Sequence, residues 1–272
     1  MPYDVIVVGK GNAALCAALS AAENGAGVLV LEAATEEKSS GNSRFAGGQI
    51  RIAFASVDDL QRVSELTDAE IAASDYGTNT RHEFLDDLYR LTDYRTDADL
   101  SETLVAQSLD VIVWLRSKGV RFAPSYGQFS GLVNGKRKFF GRMPLEVVGG
   151  GAGLAQYLGA AAKKADIEIR YETRAASLIF DGVRVLNVRA RQKGNFIELR
   201  ANSVVLACGG FEANPGWRAC YLGPGWERAK VRGSRFNVGD GLRMALDVGA
   251  APGWCRAWCS DASRDAAPRQ LP

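Results

Sequence analysis

The sequence holds 272 residues at 47% hydrophobic and 24% charged content, enough for one large globular domain or two modest ones with ample core. A formal net charge of +2 gives no electrostatic case for nucleic acid or an anionic membrane. No apolar stretch approaches the roughly eighteen residues of a transmembrane span, and the first strand starts at Tyr3, which on this reading leaves no room for a signal peptide.

Tyr3 to Val8 is a β-branched apolar run with the composition of a parallel strand buried on both faces. Gly9-Lys10-Gly11-Asn12-Ala13-Ala14 follows at once, and a small-residue helix is expected from Asn12 to about Asn24. Gly25-Ala26-Gly27 ends that helix, and Val28 to Leu31 reads as a second strand closed by Glu32 and Ala33. Strand, glycine turn, helix, strand and acidic end together form a dinucleotide fingerprint. Gly9 allows the tight turn, and Gly11 lets a pyrophosphate approach the backbone. Ala14 stands where a third glycine is common, and its methyl still permits close helix–strand packing. The free N–H groups at Asn12 to Ala14 would face phosphates, while Glu32 would accept ribose hydroxyls and disfavour a 2′-phosphate. The plainer alternative is a Rossmann-like unit that holds no ligand.

Gly41-Asn42-Ser43-Arg44-Phe45-Ala46-Gly47-Gly48 could lie against a flat ligand, although taken alone it reads as a glycine-rich surface loop. From Val57 to Tyr94 the pattern suggests short helices with turns. His82, the one histidine in the chain, stands at an amphipathic helix start, so histidine triads and multi-histidine metal sites are nearly excluded. Asp99-Leu100-Ser101-Glu102 opens a clear helix that ends at Ser117-Lys118-Gly119. The Ala123–Met143 stretch is rich in Gly, Lys, Arg and aromatics, and with no wider basic field it reads as a solvated or substrate-side loop.

Gly149 to Gly153 is expected to precede a helix over Leu154–Lys164. Strand candidates follow at Ile167–Tyr171, Ala175–Phe180, Arg184–Arg191 and Phe196–Ala201, with Asp181-Gly182 and Lys193-Gly194 as turn signals. The last three predict a meander inserted into a doubly wound domain. Ser203 to Cys208 reads as a separate buried strand that returns to the main sheet and sets Ala207, Cys208, Gly209 and Gly210 beside the first glycine loop. Val238-Gly239-Asp240-Gly241 opens a further helix, with Asp240 placed as its N-cap. The five cysteines (Cys16, Cys208, Cys220, Cys255, Cys259) are odd in number and scattered, which suits a reducing, cytoplasmic setting. Cys255 and Cys259 are four apart, and no further Cys or His completes a metal set.

In order, VIVVGKGNAALCAALSAAENGAGVLVLEAA, SGNSRFAGGQIR, GGGAGLAQYL, VVLACGGFEAN and NVGDGLRMALDVGAA resemble the FAD-dependent flavoproteins of the fumarate reductase and succinate dehydrogenase family over about residues 3–252. The nearest likeness is the branch containing tricarballylate dehydrogenase. The resemblance implies an α/β fold: a Rossmann-type FAD-binding parallel sheet, a three-stranded β-meander insertion and a helical region at about 57–145, with 253–272 as an unmatched tail. It also implies that Gly9, Gly11, Asn12, Ala13 and Ala14 hold the FAD pyrophosphate and that Glu32 and Ala33 meet the adenosine ribose. Asn42, Ser43, Gly47 and Gly48 would line the ribityl–flavin path, and Ala175 would meet adenine through its backbone. Ala207, Cys208, Gly209 and Gly210 would pack near the nucleotide, with Asp240 on the ribityl or flavin side. Covalent members tether flavin through a histidine near the SGNSRFAGG stretch, which has none here, so a noncovalent FAD is implied.

The implied reaction is hydride transfer between flavin and a small di- or tricarboxylate, with a possible electron-transfer partner, and no catalytic residue is named. Family members continue past the GDG helix into a capping domain, so the chain resembles a truncated form. An FAD-binding module without turnover and a 3-ketosteroid dehydrogenase-like flavoenzyme are the alternatives.

Overall fold

A computed structural model describes residues 3–127 and 129–251, so Cys255, Cys259 and the expected tail at 253–272 lie outside the described residues. The described chain forms two compact units, a sheet unit from residues 3–45 and 158–251 and a helical unit from residues 46–157.

Six strands make the sheet unit. In chain order they are β1 (Tyr3–Val8), β2 (Val28–Leu31), β3 (Glu168–Arg170), β4 (Thr173–Phe180), β5 (Val185–Gln192) and β6 (Asn195–Leu206). Their spatial order is β4-β5-β6-β1-β2-β3. The β1 strand pairs in parallel with both β2 and β6, and β2 pairs in parallel with β3. Every residue of β2 is buried, as a central parallel strand requires. Ile6, Val8, Leu29 and Leu31 pack with Ala175, Val188, Ala190, Leu199 and Met244 in one core. Each large apolar side chain in it contributes about 1.5–3 kcal/mol of burial.

The meander and the returning strand, read in the sequence as separate pieces, are a single element. Residues 195–200 of β6 pair antiparallel with β5, and residues 201–206 pair parallel with β1. No turn residue interrupts the run, so the ladder changes partner while the strand continues. The sequence suggested a break because Asn202 and Ser203 are polar and exposed on the strand surface.

Helix α1 (Asn12–Glu23) buries Ala14, Leu15, Ala18 and Leu19, one stripe at helical spacing, and contacts β1 and β2. Two further helices follow β6, α2 (Pro215–Leu222) and α3 (Asp240–Asp247). Asn214 caps α2 by accepting the Trp217 N–H at 3.1 Å, and proline occupies the first turn where its missing donor costs nothing. Arg218 of α2 is buried and donates to four backbone carbonyls, those of Glu212, Trp226, Glu227 and Ala229. That guanidinium ties the loop after β6 into a fixed shape.

The helical unit contains helices Val57–Gln61, Asp68–Ala73, Arg81–Leu91 and Ala98–Ser117. Capping boxes at Thr67/Glu70 and Thr80/Glu83 start two of them. Two three-stranded sheets also lie within it, built from strands of two to four residues; of these the sequence reading expects only a short extended piece at Val120–Phe122, which overlaps the strand Phe122–Pro124. One cluster of its core joins Ala53, Phe84 and Val105 with Leu85 and Leu88 beside them, and Leu60, Val63, Val120, Leu145 and Val147 are among its other buried residues. Around it Asp87 pairs with Arg51 at 2.6 Å, Arg142 at 2.9 Å and Arg90 at 3.0 Å. Among the described residues no helix is long and apolar enough to cross a membrane.

Candidate functional site

The glycine turn after β1 is fixed by a backbone encounter. Gly9 has φ of +106°, and a Cβ built on it would lie 2.6 Å from the Ala207 carbonyl oxygen and 2.8 Å from the Cys208 Cα. The end of β6 therefore passes directly over Gly9, as the expected return of that strand to the glycine loop requires. The Gly9 N–H donates to the Leu31 carbonyl at 2.8 Å, which locks the turn to β2 as well.

Gly11 is the N-cap residue of α1 and offers no side-chain cap, and the first turn of the helix carries no acidic residue. The positive end of the helix dipole is thus left without a compensating charge from its own element. Among the described residues its side-chain partner comes from the 3₁₀ turn Gly41–Phe45: Ser43 Oγ accepts the Asn12 N–H at 3.0 Å and donates to Asn12 Oδ1 at 2.7 Å. Next to it Asn42 Oδ1 accepts the Ser234 N–H at 2.8 Å. The SGNSRF stretch, which alone read as a surface loop, is hydrogen-bonded on both sides into this part of the unit.

These segments line one cavity of about 430 Å³. Its wall takes in Gly9 to Ala13, Glu32 and Ala33, Gly41 to Ser43, Ala175, Ala207 to Gly210 and Asp240. Ala14 is buried beneath, inside α1. Among the expected residues, Gly47 and Gly48 belong to the helical unit and have a packing reason of their own. A Cβ on Gly48 would lie 2.6 Å from the Gly150 Cα, and the Gly151 N–H donates to the Ala46 carbonyl at 2.8 Å. The helix expected from Leu154 in fact begins at Gly150, so its first turn is made of the glycines that this close approach demands.

Asp240 is corrected in one respect. It is the first residue of α3, and the N-cap is Gly239 with φ of +93°, a left-handed conformation that suits glycine. Its carboxylate is held instead by Arg174 of β4, whose Nε and Nη2 donate to the two oxygens at 2.7 and 2.8 Å. This bidentate pair raises the Arg174 pKa further above its ordinary value.

Among the wall residues that sequence reasoning missed are Lys10, Arg174, Asn237 and Glu212. Asn237 is buried, and a Cβ on Gly209 would lie 2.5 Å from its Nδ2, so the amide rests against that glycine turn. Glu32 is buried; the Ala34 N–H donates to its Oε1 at 2.8 Å, and burial pushes its pKa up. Lys10 is buried too, and burial pulls its pKa down while Glu32 and Glu36 oppose that shift. The Cys208 thiol is pushed up chiefly by burial and stays neutral. An unusual signal for Lys10 was present in the sequence: a long cation between two glycines of the fingerprint turn.

Residues 4–257 match the family model described as FAD binding domain. The chain is 28% identical over 251 residues to a fumarate reductase (cytochrome) of Shewanella frigidimarina, covering 91% of this chain and 40% of that protein. It is 27% identical to the vinyl phenol reductase of Lactiplantibacillus plantarum, covering 91% of this chain and 46% of the relative. Among solved structures it is similar to the open conformation of a flavocytochrome c3 fumarate reductase, with a TM-score of 0.71 and 26% identity over 92% of this chain and 41% of that one. The chain thus spans under half the length of these relatives.

Proposed function

The chain belongs to the FAD binding domain family, and on that premise we propose that it holds FAD noncovalently in the sheet-unit cavity, as part of an oxidoreductase acting on a small di- or tricarboxylate. One observation carries the reading: segments from six separate parts of the sequence meet around a single cavity whose chemistry fits a dinucleotide. Gly11 is a cradle without a Cβ at an uncapped helix start, and no carboxylate in that turn repels a pyrophosphate. The N–H groups at Gly11 to Ala13 hold the pyrophosphate, and Ser43 yields or shares the Asn12 N–H that it now accepts. Glu32 takes the ribose hydroxyls, and the Ala175 backbone, buried at the wall, meets the adenine. Ala207 to Gly210 close the nucleotide side, while Asp240, oriented by Arg174, meets the ribityl chain. Gly47 and Gly48 are included on the family resemblance alone.

Bound flavin supplies a hydride acceptor or donor, and this chain's residues bind it and orient it. The noncovalent mode rests on side-chain chemistry. His82, the one histidine, is exposed on helix Arg81–Leu91 in the helical unit, with Nε2 3.6 Å from Asp86 Oδ2. The carboxylate substrate, the likeness to the tricarballylate branch, an electron-transfer partner and a cytoplasmic location belong to the same proposal. The relatives named for fumarate and for vinyl phenol define the test. Oxidation of a reduced electron carrier is followed with fumarate and vinyl phenol, and reduction of an oxidised carrier with tricarballylate and a 3-ketosteroid, which give up electrons. With no catalytic residue named and under half of the relatives' length spanned, turnover by the chain itself is expected to be negligible, and whatever is seen is expected with a carboxylate and not with the uncharged compounds. Faster turnover with vinyl phenol or the steroid overturns the substrate class.

A further inference from the structure

In the wall of the cavity and beside it lies a cluster of which the fingerprint calls for Glu32 alone. Lys10, Glu32, Ser39 and Ser40 are all buried, the lysine at 7% and the glutamate at 6% relative exposure. Lys10 Nζ donates to Ser39 Oγ at 3.2 Å and Ser40 Oγ at 3.4 Å, and it lies 5.7 Å from the centre of the Tyr171 ring. Ser40 has φ of +81°, a costly conformation for a residue with a Cβ. That conformation turns its hydroxyl to Lys10 while its backbone N–H faces the Glu32 carboxylate, beside those of Ala33 and Ala34. Two opposite charges are therefore out of water on either side of one serine, and an unaccompanied buried carboxylate would take up a proton instead.

We propose that Lys10 is a positioning residue of the nucleotide site, holding the Glu32 carboxylate ionised so that it can accept both ribose hydroxyls. The inference rests on the reading of the cavity as an FAD site. A protonated Glu32 keeps one oxygen as a hydroxyl donor and loses half of its accepting capacity. The other groups facing this pair are few. Glu36 lies on the neighbouring turn Glu36–Lys38 and shares the attraction of Lys10, Tyr171 donates to Glu36 Oε1 at 3.5 Å, and the Cys208 thiol is neutral. Burial together with Glu36 pushes the Tyr171 hydroxyl up to about 12, so it stays neutral through the working range. The Ala34 N–H, which donates to Glu32 Oε1 at 2.8 Å, favours the charged carboxylate first, and Lys10 is the cation that adds to it.

The test is the pH dependence of FAD affinity, read by quenching of flavin fluorescence between about pH 5 and 9. Affinity of the unaltered protein falls at the acid end as Glu32 takes up a proton. In Lys10→Met that fall moves upward by about one pH unit or more, the scale of a lost neighbouring charge, and Lys10→Arg restores the original profile. Glu32→Gln flattens the profile at an affinity about tenfold lower, and adding Lys10→Met to it has no further effect on pH dependence. Should Lys10→Met not fold, the profiles of Lys10→Arg and Glu32→Gln decide. A steep acid fall that survives Glu32→Gln overturns the inference, as does a Lys10→Met profile that tracks the unaltered one. Failure of the unaltered protein to bind FAD at any pH overturns the underlying reading as well, and so separates the two failures.

Discussion

The two units use their polar residues with different emphasis. In the helical unit charge meets charge: Asp87 gathers Arg51, Arg90 and Arg142, and Arg142 also pairs with Glu83. In the sheet unit the polar residues around the cavity hold backbone or one another, as Asn42 holds Ser234, Ser43 holds Asn12 and Arg174 holds Asp240. The first pattern ties Arg51 and Arg142 to the helix Arg81–Leu91; the second keeps loops in place around a space. The sheet unit is therefore vulnerable at its glycines and the helical unit at its carboxylates, and each can be broken separately.

The largest effect is expected at Gly9. Gly9→Ala adds a left-handed backbone cost of about 1–2 kcal/mol to a clash with immovable backbone at Ala207 worth about 1–3 kcal/mol. Gly25→Ala is the control, since Gly25 has φ of +80° but nothing within 4 Å of an added Cβ, so only the backbone cost of about 1–2 kcal/mol applies. Chemical denaturation of the two variants should separate them clearly; equal losses would mean that the approach of β6 to Gly9 is not tight.

Next in size is Asp87→Asn, expected to cost about 2 kcal/mol by leaving partly buried guanidinium groups short of an acceptor. Hydrogen bonding from Arg51 holds the Asp87 carboxyl below its ordinary range. A depressed carboxyl contributes stability that is fully present above its unfolded value of about 3.9 and is lost as pH falls through the folded value. Acid unfolding of the helical unit, followed by tryptophan emission (Trp114 lies there), should lose that step in the variant. An unchanged acid transition would show the cluster to be solvated surface charge.

In the sheet unit Glu32→Ala should weaken FAD binding by about 1–3 kcal/mol, the scale for a hydrogen bond to a charged group. An unchanged dissociation constant would make Glu32 an ordinary strand-end residue. Smallest is Ser43→Ala, which removes the acceptor of the Asn12 N–H and should cost about 1 kcal/mol of stability in the free protein. With FAD bound that difference should shrink, because the pyrophosphate would accept the same N–H. A loss of equal size in both states would separate Ser43 from the phosphate site.

Much of this architecture was legible from residue type alone. The run Tyr3–Val8, the glycine turn and the strand Val28–Leu31 lie where composition put them, and α1 ends one residue before the expected Asn24. Elements of that length carry their own period. Strands such as Gln49–Ile50 and Ser74–Asp75 are too short to show one, and their pairing is set by partners distant in sequence. The same limit hid the unbroken β6 strand, whose change of partner at Ala201 leaves no mark in the sequence. At the site, the glycines announced themselves because a turn demands them. Arg174 did not, since an arginine on the exposed face of a meander strand looks like ordinary alternation until Asp240 is brought beside it. Asn237 likewise matters through Gly209, 28 positions away in sequence, and through Glu212, whose Oε2 accepts from its Nδ2 at 3.4 Å, proximities that only the folded loop creates.

The central claim, noncovalent FAD in the sheet-unit cavity, is tested most directly by titrating the flavin-free protein with FAD and then precipitating the complex with acid. The account predicts saturation at one FAD per chain and complete release of flavin into the supernatant. Flavin that stays with the precipitate, or no binding at saturating FAD, would contradict it.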